Sequence, residues 1–185
     1  MTRSVPSSPD VQTLIAPFYS SLEAIGVFAP VEAAEMPAVY GRMLAHNDHM
    51  TVAVERQHQC LVKVCVLAKH VTDSHYARKI VLARESDGVV VQFGVMRVDL
   101  RVLTAEVRRE IEGEDVPLGR SLIAHDVLRE VELAQLWRIT PADELQQRLN
   151  MRPNKTTFGR SALIHVNSQR AIELLEILAP IRSLD

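Results

Sequence analysis

Tyr76-Ala77-Arg78-Lys79-Ile80-Val81-Leu82-Ala83-Arg84-Glu85-Ser86-Asp87-Gly88-Val89-Val90-Val91-Gln92-Phe93-Gly94-Val95-Met96-Arg97-Val98 decides the fold class. Two runs rich in β-branched and apolar residues flank Glu85-Ser86-Asp87-Gly88, and Asp-Gly favours the positive backbone angles of a tight turn, so the stretch reads as a β-hairpin. Upstream, residues 60–69 alternate with period two: Cys60, Val62, Val64, Val66 and Ala68 share one face, and Leu61, Lys63, Cys65, Leu67 and Lys69 the other. That is the pattern of a half-buried strand, expected at or near the sheet centre. The alternation of Met50, Val52 and Val54 with Thr51, Ala53 and Glu55 predicts that strands begin at Met50. Downstream, residues 157–166 and 170–178, joined by Asn167-Ser168-Gln169, predict a second hairpin.

Helical patterns surround these strands. Pro9-Asp10 offers a start for residues 11–25, with a kink or break at Pro17, and residues 31–46 read as a second helical stretch. Thr104 caps a surface helix over 104–114, carrying Val107 and Ile111 four residues apart. Pro117-Leu118-Gly119 interrupts it before a short helix at 120–124. A mixed segment over 127–139 follows, and Pro141-Ala142-Asp143-Glu144 opens a helix through Leu149. Grouped antiparallel strands with helices around them define an α+β fold, not alternating βαβ units. The Ser- and Pro-rich residues 1–10 read as a loose tail, and 11–185 as a single domain.

Composition narrows the function. Of 185 residues 47% are hydrophobic and 24% charged, the proportions of an ordinary globular protein. Lys plus Arg at 21 against Asp plus Glu at 23 leaves a formal charge of -2, with no basic stripe, which argues against a nucleic-acid partner. The N-terminus lacks the apolar middle of a signal peptide, and the most apolar stretches, 60–68 and 89–96, are about half of what a bilayer requires, so no membrane association is expected. Cys60 and Cys65 form neither a CxxC pair nor a disulfide framework, which suits a reducing cytoplasmic setting. Core packing is expected for Cys60 and partial cover for Cys65. His46-Asn47-Asp48-His49 lacks a metal-ligand pattern, and neither a Gly-rich phosphate loop nor a Gly-x-Ser-x-Gly elbow occurs, so no metal or cofactor is expected.

Two charges stand where alternation would bury them. Arg78 shares its face with Tyr76, Ile80 and Leu82, and Glu176 shares its face with Ile172, Leu174 and Leu178. A buried charge needs a partner or a ligand. A structural Arg78–Glu176 ion pair and a ligand site account for the pattern equally well.

Several segments together resemble the chorismate pyruvate-lyase family, enzymes that convert chorismate into 4-hydroxybenzoate and pyruvate: Asp48-His49-Met50-Thr51, Tyr76-Ala77-Arg78-Lys79-Ile80-Val81-Leu82, Val116-Pro117-Leu118-Gly119-Arg120, Leu136-Trp137, Gly159-Arg160-Ser161, and Ile172-Glu173-Leu174-Leu175-Glu176-Ile177-Leu178-Ala179-Pro180. They follow the family order over about residues 45–181. The resemblance implies a single antiparallel sheet with surrounding helices and a ligand enclosed beneath helical flaps. It also implies that Arg78 grips the ring carboxylate, a task suited to a bidentate guanidinium. Glu176 would stand at the oxygen-bearing end as general acid/base, with backbone groups of Leu118 and Met50 completing the hydroxyl and carboxylate ends.

Loss of the enolpyruvyl group with a ring proton aromatises the ring, so proton movement and positioning suffice without a cofactor. Slow release of a flat product from an enclosed pocket would then limit turnover. The implied setting is cytoplasmic aromatic acid and ubiquinone biosynthesis. The chain departs from the family pattern at Leu175, where the family often has Thr, and at Ser161-Ala162-Leu163-Ile164-His165. Two other readings stand beside the lyase: a non-catalytic binding protein for an aromatic acid, since effector domains of some transcription regulators share this general fold, and a family member with a changed substrate. Such regulators carry a DNA-binding helix-turn-helix, for which the chain offers neither a basic segment nor spare length.

Overall fold

The hairpin of residues 76–98 forms as its sequence dictates. In the computed structural model, which describes residues 10–113, 116–124 and 129–181, it comprises β3 (His75–Arg84) and β4 (Val90–Asp99). Gly88 takes the turn's positive φ of 72°. Asp87 pairs with Arg84 and accepts the Val89 N–H at 3.1 Å, closing the turn from its own side chain. The second hairpin pairs β6 (Thr157–Val166) with β7 (Gln169–Leu178) through Asn167 and Ser168, at φ 50° and 65°. With β1 (Gly26–Pro30), β2 (Val62–Val71) and β5 (Arg129–Pro141), these strands make one antiparallel sheet in the order β1-β5-β6-β7-β4-β3-β2.

The helices are α1 (Val11–Ile15), α2 (Ala38–Leu44), α3 (Met50–His58), α4 (Ala105–Gly113), α5 (Leu118–Ala124) and α6 (Asp143–Arg148). On one face of the sheet, Leu14 and Ile15 of α1 and Leu145 of α6 pack on Val81, Phe93, Val95, Leu175 and Ile177. On the other face there are two separate clusters. Val107, Ile111 and Leu122 of α4 and α5 cover Met96, Val98, Ala162, Ile164 and Leu174. Tyr40, Met43, Leu44, Met50 and Val54 of α2 and α3 cover Leu82, Val91, Phe158 and Leu178. This second face is therefore bridged by two helical pairs instead of one continuous layer.

Several expectations change. Met50 begins helix α3, not a strand, because Met50, Thr51 and Val54 lie on one helical face and are buried together, whereas Val52, which the period-two reading grouped with Met50 and Val54, is exposed. The strand at 60–69 runs from Val62 to Val71 and lies at the sheet edge, not near its centre. Alternation reports half-burial only, and Val62 alone in β2 is fully buried. Residues 11–25 break at Ala16, just before Pro17, and 31–46 shrink to α2 after a one-turn 3-10 helix at Ala33–Glu35. Strand β1 was not foreseen. The mixed segment 127–139 is mostly the long strand β5, with 127 and 128 outside the described residues, as are 1–9 of the expected tail and 114 of the expected helix over 104–114. Cys60 is half-exposed, its thiol donating to Leu61 O, and is not part of the core. Among the described residues no helix is long and apolar enough to cross a membrane.

Candidate functional site

Between the two helical pairs lies a cavity with about 540 Å³ of empty space, open solvent at its mouth included. Its floor is the sheet. Register sets three rows of side chains on this face: Arg78, Met96 and Leu174; Ile80, Gly94, Glu176 and Arg160; and Leu82, Gln92 and Leu178. Its walls are the starts of α3 and α5, with His49, Met50 and Thr51 on one side and Pro117, Leu118 and Gly119 on the other. A Cβ on Gly119 would lie 3.1 Å from His49 Cβ, so the two helix starts meet where only glycine fits without displacement. Arg120 of α5 also pairs with Glu55 of α3, clamping the two helices to each other.

Met50, Arg78, Leu118 and Glu176 all line this one cavity. Arg78 is 1% exposed and Glu176 8%. The sheet-spanning ion pair read from alternation is replaced by another. Glu176 Oε2 takes a 2.8 Å bond from Nε of Arg160, its direct cross-strand neighbour on β6. Arg160 is 0% exposed, and its remaining donors hold the α2–α3 connection: Nη1 reaches His46 O at 2.8 Å and Nη2 reaches Asp48 O at 3.0 Å.

The sequence reading did not assign Arg160, although it shares its strand face with Phe158, Ala162 and Ile164 and satisfies the same rule that singled out Arg78 and Glu176. This guanidinium ties the sheet floor to the connection leading into α3. His46 completes the tie: Nε2–H donates to Met43 O at 2.7 Å, and Nδ1 accepts from Asp48 N at 3.1 Å. Burial, and then the neighbouring Arg160 charge, push its imidazole below the usual range, in keeping with the neutral ring these bonds require. Among the described residues no cluster of three or more His, Cys, Asp or Glu could hold a metal ion.

The fold is α+β of the chorismate lyase-like kind, the architecture shared by effector domains of GntR-family transcriptional regulators. The effector domain of PhnF from Mycobacterium smegmatis matches at 12% identity with TM-score 0.52, over 71% of this chain and 88% of that one. PhnF itself, from the same organism, matches at 11% identity with TM-score 0.50, over 71% of this chain and 63% of that one. A possible transcriptional regulator, YydK from Bacillus subtilis subsp. subtilis str. 168, is more distant, at 12% identity and TM-score 0.47, over 63% of this chain and 57% of that one. The chain thus spans less than two thirds of the length of YydK and of PhnF. No protein-family model matches the chain, and no curated protein matches it by sequence.

These likenesses correct the enzymatic expectation. The structural neighbours are regulator effector domains and not a named chorismate lyase, so conversion of chorismate to 4-hydroxybenzoate and pyruvate, with its ubiquinone-pathway setting, does not stand. The exclusion of nucleic acid falls as well, since net charge over the chain says nothing about a fold that occurs in transcriptional regulators.

Proposed function

We propose that the chain is a non-catalytic regulatory domain that binds a small organic acid between the sheet and the starts of α3 and α5. The observation that carries this is Arg78, a buried guanidinium lining an otherwise largely apolar cavity. Such a cation recognises a carboxylate through charge-assisted bonds. Met50 lies in the first turn of α3, where backbone N–H groups have no partner within the helix and a negative charge is favoured. Leu118 of α5 and Glu176 border the same space, so binding residues come from the sheet and from both helices over it. A ligand that touches all three reports its presence through their relative placement, which is what a sensing domain requires.

From the resemblance to the lyase family this reading keeps the position of the site and the roles of Arg78, Met50, Leu118 and Glu176 as binding residues, without the reaction. Residues 11–185 act as one domain, in a cytoplasmic setting, with transcription as the output. The test is titration of the purified chain with small aromatic and aliphatic carboxylates by calorimetry. Saturable binding that Arg78→Gln weakens supports the reading, and equal binding by wild type and variant overturns it. Pyruvate followed after addition of chorismate is expected to stay at the no-protein level.

A further inference from the structure

Gln92 sits at the far end of the cavity floor from Arg78 and was not among the residues singled out in the sequence. It is 3% exposed, lines the cavity, and its Oε1 is buried with no hydrogen-bond partner. Its neighbours across the sheet are Leu82 and Leu178, which offer no donor. An apolar residue in this place would leave no such unmet acceptor.

Gln92 faces the cavity because it keeps phase with Gly94 and Met96 along β4, and the strand's irregularity falls just before it. The β3–β4 register jumps between Leu82↔Gln92 and Ala83↔Val90, leaving Val91 as an extra residue. Val90 therefore packs with the α1/α6 cluster, whereas Val91 packs with the α2/α3 cluster on the cavity side. Bulges of this kind re-aim the side chains beside them. Gln92 stands four residues from Met96, the partner of Arg78, or roughly 13 Å along β4. Between the two ends Gly94 contributes no side chain, and the floor there stays open.

We infer that Gln92 is a specificity-determining residue that accepts a hydrogen bond from a hydroxyl or N–H on the bound acid. The ligand class is then an acid with an apolar body, its carboxylate on Arg78 and a donor group towards Gln92. This rests on the reading of the cavity as an acid site. Glu176 stands in the middle row, opposite Gly94, between the rows of Arg78 and Gln92, so it meets a different part of the ligand.

The experiment measures dissociation constants of benzoate, 3- and 4-hydroxybenzoate and 4-methoxybenzoate for the wild-type chain, Gln92→Leu and Arg78→Gln, together with ligand-free melting temperatures. Wild type is expected to prefer a hydroxylated acid over both benzoate and the methoxy acid, which can only accept, by about 10-fold. Gln92→Leu is expected to erase that preference and to melt no lower than wild type. Gln92→Met, similar in length, gives the same comparison should the leucine variant fold poorly. A preference that survives both substitutions, or a ligand-free melting temperature that drops by several degrees in both, overturns the assignment to Gln92 while leaving the acid site in place. Binding of none of the acids by wild type, or binding indifferent to Arg78→Gln, overturns the acid site and this inference with it.

Discussion

The two faces of the sheet are made from the same strands by the same alternation, yet they are finished differently. The face under α1 and α6 presents Val81, Phe93, Val95, Leu175 and Ile177 to a sealed apolar layer. The face under α2 to α5 buries Arg78, Gln92, Arg160 and Glu176 beside Leu82, Met96 and Leu174. On the first face charge stays at the margin, where Lys79 meets Glu144 at 2.9 Å and lies 4.6 Å from the Tyr19 ring centre. One face stabilises by exclusion of water. The other accepts the cost of buried polar groups, and places them around the cavity its helices leave open.

That contrast can be broken from either side. Phe93→Ala on the sealed face should cost about 3–5 kcal/mol in denaturant unfolding through cavity formation, leaving the pocket chemistry intact. Arg160→Met should cost a comparable ~3–5 kcal/mol, because it strands the Glu176 carboxylate and frees the carbonyls of His46 and Asp48. The two differ in binding. Acid affinity at a protein concentration and temperature where both variants remain folded should survive Phe93→Ala and be lost in Arg160→Met. If both variants bind alike, the α2–α3 connection has no part in the site.

Smaller changes sharpen the comparison. Arg78→Gln should weaken binding of a carboxylate by about 10- to 100-fold, the worth of a charge-assisted bond, as read by calorimetry. Gly94→Leu should place a side chain on the open floor and lower affinity with little change in melting temperature, since a Cβ there meets Ile80 Cγ1 only at 3.4 Å. Unaltered affinity in Gly94→Leu would put the ligand somewhere other than across Gly94.

The smallest effect concerns pH. Burial, and then the Arg160 charge, hold the His46 imidazole below its ordinary value of about 6.5. Its contribution to stability is therefore fully present above about 6.5 and is lost as pH falls through the lower folded value. Protonation would place a proton on Nδ1, breaking the bond from Asp48 N and facing the Arg160 charge. The fall in melting temperature between neutral and mildly acidic buffer should be shallower in His46→Gln than in wild type. His58 and His75 are shifted in the same direction by burial and account for part of the remaining slope.

Much of the frame was legible. Both hairpins carry their turn chemistry locally, in Asp87-Gly88 and in Asn167-Ser168, and the α+β class follows from where period two replaces helical spacing. Arg78 and Glu176 were found because a charge within an apolar alternation is visible without knowing the neighbours. The same rule reaches Arg160. Gln92 eludes it, because an uncharged amide in a hairpin strand reads as an ordinary solvent-facing residue even though it keeps phase with Gly94 and Met96. Helix α3 was misread because Met50 and Val54 fit both periods, and their burial against Val62 and Leu82, with Val52 left exposed, settled the choice.

The sequence by itself determined which residues share a strand face, where the chain turns back, and that two charges would be held out of water, since each depends on neighbours within a few positions. Tertiary structure alone decided the partners. Glu176 meets Arg160 instead of Arg78 because β6 lies beside β7, whereas β4 separates β7 from β3. It likewise decided that one face would be sealed and the other left hollow, because that depends on how far apart two helical pairs settle on a sheet assembled from distant segments, and no local pattern encodes that distance.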